Sequence, residues 1–333
     1  MFVAYITEQG AVLHKREGRL YIEKESVAIA DMPLEQVERI VLFGNIHLTT
    51  PLVVHCLNFG VDVCFLSQSG DYLGRLVSHM SQDASLRLAQ YQTHQDERWR
   101  LEVARSWVVG KIRNQRVFCE RREPEEPFTS LGEMKVALEG YEQQVAGVDT
   151  LEELQGVEGI AAKTYFLLFP KFLRSDLVFS GTRDRPALDP INALLNLGYT
   201  LLYNDMLSAI YRVGLDPYIG SYHEIHFGHA CLASDLLEEF RPVVVDALVV
   251  LMVNHHELTQ EDFYSLPSGE MRLSREAFKK FLERYDRRVD TQVNYPLRDE
   301  HFSYRQIFEL QVYQYARLLS GKTDKYVPYL WDW

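Results

Sequence analysis

Residues 85–122 read SLRLAQYQTHQDERWRLEVARSWVVGKIRNQRVFCERR, and the period of this stretch decides the fold. Leu88, Tyr91, Trp99, Val103 and Trp107 recur at helical spacing with charged residues between them, which predicts one long amphipathic helix. Upstream the period is different. FVAYI, AVLHK, RLYIE, VAIADMP, VERIVLFG and VDVCFLS are short runs rich in β-branched and aromatic residues, several alternating and separated by Gly, Pro or charged turns. AVLHK and RLYIE, joined by Arg-Glu-Gly, read as a hairpin, and only PLVVHCLNF (51–59), behind the candidate caps Thr49 and Thr50, reads as a short helix.

The change of period divides the chain. Residues 1–80 form an expected small β-sandwich-like domain, and residues 81–333 an expected larger all-α catalytic domain, so the fold class is α+β. The boundary is expected in residues 72–85, with Gly70, Gly74 and Ser81 as punctuation. No catalytic constellation occurs in the first domain, which points to scaffold or dimerisation. The acidic run at 123–127 (EPEEP) reads as a solvated loop within the helical part.

Composition narrows the function. The 333 residues carry a net charge of −12, which disfavours nonspecific binding to nucleic acid, so contact with a polyanion needs local basic patches or ions held by the acids. Cys56, Cys64, Cys119 and Cys231 lack C-x-x-C spacing and sit mostly in apolar runs, which argues for reduced thiols and against a zinc site. The start, MFVAYITEQG, has no signal-peptide pattern, and no apolar run reaches membrane-spanning length; a soluble, cytoplasmic protein is expected.

The densest chemistry lies in residues 214–246, GLDPYIGSYHEIHFGHACLASDLLEEFRPVVVD. A turn marked by Gly214, Pro217 and Gly220 leads through His223, His226 and His229 into a helix bearing Asp235, Glu238 and Glu239. Residues three apart project from nearly the same side of a helix, so Asp235 and Glu238 can aim at one point. Such a pair is commonly solvated surface. Imidazole together with carboxylates is also a recurrent ligand set for a catalytic divalent ion. Glu158 lies among Gly156, Gly159, Ala161 and Ala162, which would let a helix or ligand approach its carboxylate, although the helix dipole alone favours an acid there. Arg183 and Arg185 can face phosphate or pair with Asp184. Farther on, Arg284, Arg287 and Arg288 can share a helical face with Lys280, enough to touch a nucleic-acid backbone; a solvated amphipathic helix is the alternative.

In the segments EGIAAKTY, RPALDPINALLN, GLDPYIGSYH and DLLEEFRPVVVD, the chain resembles the CRISPR-associated adaptation integrase, the Cas endonuclease numbered one, essentially end to end. The resemblance implies that Glu158, His223 and Glu238 are metal ligands, that Asp235 is the neighbouring acid near the metal or its water, and that Tyr203 is an active-site tyrosine. It implies Mg²⁺ or Mn²⁺ as cofactor, which suits a ligand set of imidazole and carboxylates without thiolates. The implied reaction is insertion of short DNA fragments into a CRISPR array by 3′-OH attack on repeat phosphodiesters. The implied partners are double-stranded DNA, a second copy of the chain joined through the β domain, and the small companion Cas protein numbered two. A metal-dependent phosphohydrolase or nuclease without integration activity, and a helical binding module without catalysis, are the rivals. The integrase reading expects alanine at Glu158, His223 or Glu238 to abolish strand transfer in a protein that stays folded.

Overall fold

Glu17 and Gly18 both take positive φ, 47° and 77°, the backbone that a two-residue hairpin turn of the primed type requires. In the computed structural model, which describes residues 2–77, 84–122, 131–181 and 186–331, this turn belongs to the first of two compact units, Met1–Met80 and Ser81–Trp333. The first unit contains β1 (Phe2–Ile6), β2 (Val12–Arg16), β3 (Arg19–Lys24), β4 (Val27–Pro33), β5 (Val37–Phe43), β6 (His47–Leu48), helix α1 (Thr50–Phe59), β7 (Asp62–Leu66) and β8 (Tyr72–Leu76). They make two four-stranded sheets, ordered β1-β5-β7-β8 and β4-β3-β2-β6. β2, β3 and β4 form an antiparallel meander, whereas β1, β5 and β7 are parallel, with α1 between β5 and β7 as a parallel connection requires.

Leu13 and Leu20 of one sheet, Ile40 and Val63 of the other, and Leu52 of α1 belong to one core cluster, each fully buried. Tyr72–Leu76, expected as part of the domain boundary, is an edge strand instead: β8 pairs antiparallel with β7, and Arg75 donates to both oxygens of Asp62 at 2.8 and 3.0 Å. That ion pair lets a run of modest hydrophobicity serve as a strand. Of the rest of the expected boundary, 78–83 lies outside the described residues, and Ala84 and Ser85 begin the next helix.

The second unit holds α2 (Ala84–His94), α3 (Glu97–Glu120), α4 (Leu131–Gln144), α5 (Leu151–Leu168), α6 (Pro190–Val213), α7 (Cys231–Leu237), α8 (Ala247–Asn254), α9 (Arg275–Val289) and α10 (Tyr304–Leu319). Two short hairpins correct the all-α expectation: β9 (Phe263–Ser265) with β10 (Met271–Leu273), and β11 (Gln292–Tyr295) with β12 (Glu300–Ser303). The helix expected across 85–122 is two helices. Asp96 breaks it by capping α3, its carboxylate accepting the Trp99 N–H at 3.0 Å. Leu88 and Tyr91 of α2 are exposed, and what α2 buries is Gln90, whose amide donates to the carbonyls of Asp216 and Ile219 at 2.8 and 2.7 Å. The acidic run 123–127, Arg183 and Arg185 lie outside the described residues. Among the described residues, no helix is long and apolar enough to cross a membrane.

Candidate active site

The site loop begins where α6 ends. Gly214 takes φ 95° and closes the helix in the left-handed conformation. The chain then runs past α2 and the start of α3, where His94 Nδ1 contacts Gly220 O at 2.8 Å and Arg100 Nε donates to Ser221 O at 3.1 Å. The turn that follows wraps round one carboxylate. Asp235 Oδ2 accepts the N–H groups of Ser221 and Tyr222 at 2.6 and 3.1 Å, and Oδ1 accepts from His223 N at 2.9 Å and His223 Nδ1 at 2.7 Å. Asp235 is completely buried. With four donors it has no oxygen left over for a shared point with Glu238; its work is to hold the turn and set the imidazole so that Nδ1 carries the proton and Nε2 is the available nitrogen. Burial would lower the His223 pKa, but the Asp235 bond and charge, with Glu238 beyond, raise it.

Gly220 makes this cradle possible. A Cβ there would stand 2.5 Å from Asp235 Oδ2 and 3.0 Å from Leu232 N, both immobile neighbours. Gly220→Ala is therefore expected to destabilise the protein by about 2 kcal/mol through overpacking and to loosen His223. Thermal unfolding checks the first effect and Mn²⁺ titration the second; a variant equal to wild type in both would show that the carboxylate can shift without consequence.

Glu238 follows α7 directly and is buried. Its Oε1 accepts from Arg241 Nη1 at 3.1 Å, and its Oε2 lies 2.5 Å from Lys111 Nζ of α3 while receiving no aligned hydrogen bond. The same Lys111 ammonium donates to Glu158 Oε1 of α5. Burial would raise the Glu238 pKa; the Lys111 and Arg241 charges, then His223, bring it down to about 2. Two acids from distant segments thus meet, and they meet on a lysine. Among the described residues no group of three His, Cys, Asp or Glu side chains is gathered to hold an ion. The physical reason is charge: two carboxylates brought together in a buried place repel unless a cation lies between them, and Lys111 is that cation.

Glu239, next in the chain, turns elsewhere. It accepts from Gln311 Nε2, Tyr326 OH and Tyr329 N at 2.9, 2.8 and 2.7 Å, tying the C-terminal segment to the helices, and burial lifts its pKa to about 8. After it, Arg241–Asp246 winds as a π-helix, where Pro242 has no N–H to donate to the carbonyl four residues back. This winding carries Arg241, whose guanidinium lies 4.1 Å from the centre of the Tyr199 ring, and Asp246, which accepts from Tyr199 OH and Tyr165 OH at 2.5 and 2.8 Å. Burial, only partly offset by those two hydroxyls, raises the Asp246 pKa to about 6. A cavity of about 560 Å³ adjoins Glu158 and Lys111, and is lined also by Arg241, Asn196, Tyr199 and Asp246 among others.

Tyr203 serves the loop and not the acids: its hydroxyl accepts Ala230 N at 3.0 Å, its ring stacks on His229 at 6.4 Å, and burial lifts its pKa to about 12. The His229 ring in turn lies 6.3 Å from that of His223, while His226 is exposed beside Glu224.

Of the basic residues expected to share a face of α9, Arg288 departs from the others. Arg288 turns inward, donating to Val243 O and lying over Tyr304. Arg284 pairs with Glu257 at 2.9 Å, and Lys280 Nζ donates to Glu257 O at 2.6 Å. Arg287 is exposed. The cause is that Arg288, unlike the other three, falls on the side of the helix that buries Ala277 and Phe281. Sequence reasoning also missed Lys111, Arg241, Tyr199 and Asp246. Lys111 is one of several cations of its helix, directly after the apolar run WVVG, and Arg241 and Asp246 flank PVVV directly after the acids.

The family profile described as CRISPR associated protein Cas1 matches residues 4–287. The chain is 36% identical over 329 residues to CRISPR-associated endonuclease Cas1 3 of Thermus thermophilus, covering 98% of this chain and 96% of that protein. A structure titled "Casposase bound to integration product" superposes with a TM-score of 0.86 at 25% identity, covering 98% of this chain and 93% of the other. Another, titled "Partial Cas6-RT-Cas1--Cas2 complex", gives a TM-score of 0.69 at 25% identity, covering 99% and 98%. With a β-rich unit followed by a helical one, and with similarity running nearly from end to end, the chain belongs to the Cas1 family of CRISPR-associated proteins.

Proposed function

We propose that this protein is a divalent-metal-dependent DNA endonuclease and integrase that joins short DNA fragments to repeat DNA, the 3′-OH of the fragment attacking a repeat phosphodiester. The observation that carries the reading is the convergence of Glu158 and Glu238 on one cation, Lys111, beside an imidazole whose Nδ1 is tied to Asp235. A site that gathers two carboxylates round a positive charge suits a hard cation. Glu158, Glu238 and His223 Nε2 would hold Mg²⁺ or Mn²⁺, which supplies charge neutralisation at the phosphodiester and a lowered pKa for the attacking hydroxyl. Asp235 fixes the tautomer and direction of His223, Arg241 keeps Glu238 ionised and in place, and Tyr203 props the loop that carries His229.

Similarity to a casposase bound to integration product supports strand transfer, and double-stranded DNA is the proposed substrate. Similarity to the partial Cas6-RT-Cas1--Cas2 complex supports a small companion Cas protein, Cas2, as partner. The homodimer is assigned to the Met1–Met80 unit, where edge strand β4 leaves Val27 and Ile29 exposed at 67% and 49%, a surface that pairing with a second copy would cover. The cytoplasm, where the host DNA lies, is the expected location.

The test is a supercoiled plasmid bearing repeats, incubated with labelled short duplexes, Mn²⁺ and the companion protein. Label joined to the plasmid, dependent on both additions, is the expected result. Mononucleotide hydrolysis or plain cleavage with no joined product would overturn the integrase reading and leave a metal-dependent phosphohydrolase or nuclease.

A further inference from the structure

Lys111 bridges Glu158 and Glu238 and is 8% exposed. If the metal site proposed above is right, the ammonium stands where the ion belongs, and both cannot be there together. The surroundings provide somewhere else for it to go. Gln115, one helical turn along α3 from Lys111, is 2% exposed, lines the same cavity, and has a buried Oε1 with no hydrogen-bond partner. A buried acceptor left unsatisfied is costly and uncommon, and residues four apart on a helix are neighbours. The Asp246 carboxylate lines that cavity too, as does Asn196, whose buried Nδ2 is likewise without a partner.

We propose that Lys111 is a resident counter-cation of the active site. It holds Glu158 and Glu238 together before the metal arrives, and it withdraws along α3 into the cavity, toward Gln115 Oε1 and Asp246, when a divalent cation takes its place. Arg241, bonded to the other oxygen of Glu238, stays and keeps that carboxylate aimed. The exchange keeps the acids assembled in either state, and it returns the lysine charge to the edge of the site, where a DNA phosphate can meet it. Lys111 is a positioning residue in this account: it acts on the ligands and, once displaced, on the approach of the substrate.

The exchange rests on the metal-site reading, and a titration of Mn²⁺ without DNA separates the two. Lys111→Met keeps the length of the side chain and removes the charge that the ion must expel, so the variant is expected to bind Mn²⁺ at least tenfold more tightly than wild type by calorimetry. Its melting temperature is expected to fall without Mn²⁺ and recover with it. Equal or weaker Mn²⁺ binding by the variant, with binding intact in wild type, would overturn the exchange. No binding by wild type would overturn the metal site and the exchange with it. A second measurement needs no variant: acetylation of wild type by a water-soluble ester, read by mass spectrometry, is expected to leave Lys111 protected without Mn²⁺ and at least fivefold more reactive with it. Exposed Lys163, which lines the same cavity, serves as the internal standard. Lys111 reactivity indifferent to Mn²⁺ would rule the withdrawal out.

Discussion

Asp235→Asn is expected to destabilise the helical unit by about 3 kcal/mol and to weaken Mn²⁺ binding about 10- to 100-fold, although Asp235 is not among the groups that would touch the ion. Each of its oxygens accepts two N–H groups. An asparagine supplies one such oxygen; its amide nitrogen would face two donors and satisfy neither. Either the Ser221–Tyr222 turn or the His223 pair is left with buried, unpaired donors, and the imidazole loses the partner that fixes its tautomer. Urea unfolding with and without Mn²⁺ measures both effects. A variant with wild-type stability and wild-type affinity would show that the turn keeps its shape without the carboxylate.

Glu238→Gln is expected to reduce cleavage and strand transfer by at least about 10³-fold, since the charge that the ion and the reaction require is removed at a site excluded from water. The alanine variant is a different experiment. Glu238 is 3% exposed and pairs with both Arg241 and Lys111, so Glu238→Ala leaves two cations short of a partner in the interior and is expected to cost about 3 kcal/mol. The sequence reading treats the three acid and imidazole positions alike, as polar residues whose loss spares the fold. Burial separates them. Glu158, with a side chain 20% exposed, fits that expectation, and its alanine variant should melt closer to wild type than the Glu238 variant does. Parallel activity assays and melting curves on the three variants check the ranking. Equal melting temperatures for Glu158→Ala and Glu238→Ala would show that Arg241 finds another partner.

Much of the architecture is legible in the residues because it follows from local period and turn chemistry. Alternation and the Glu17–Gly18 turn specify the hairpin of β2 and β3, and Asp189 before Pro190 announces α6, where its carboxylate accepts the Asn192 N–H at 2.8 Å. Glu158, His223 and Glu238 are singled out through segments that resemble a family, since each lies in a run long enough to be specific. The break at Asp96 was not legible, because the residues on either side keep a helical period and only the cap reveals the interruption. Nor was the inward turn of Arg288 on α9, which depends on which side of that helix the core occupies. Lys111 is the clearest case. In sequence it is one cation in an amphipathic helix, 47 positions from Glu158, and no local pattern distinguishes it from a solvated lysine. Only when α3, α5 and the segment after α7 pack together do two carboxylates share a buried volume, and the repulsion between them makes a third, positive side chain necessary there. Period and turn chemistry act over a few residues and can be read along the chain; charge balance in the interior is a property of everything that meets at a point, and the tertiary structure alone decides it.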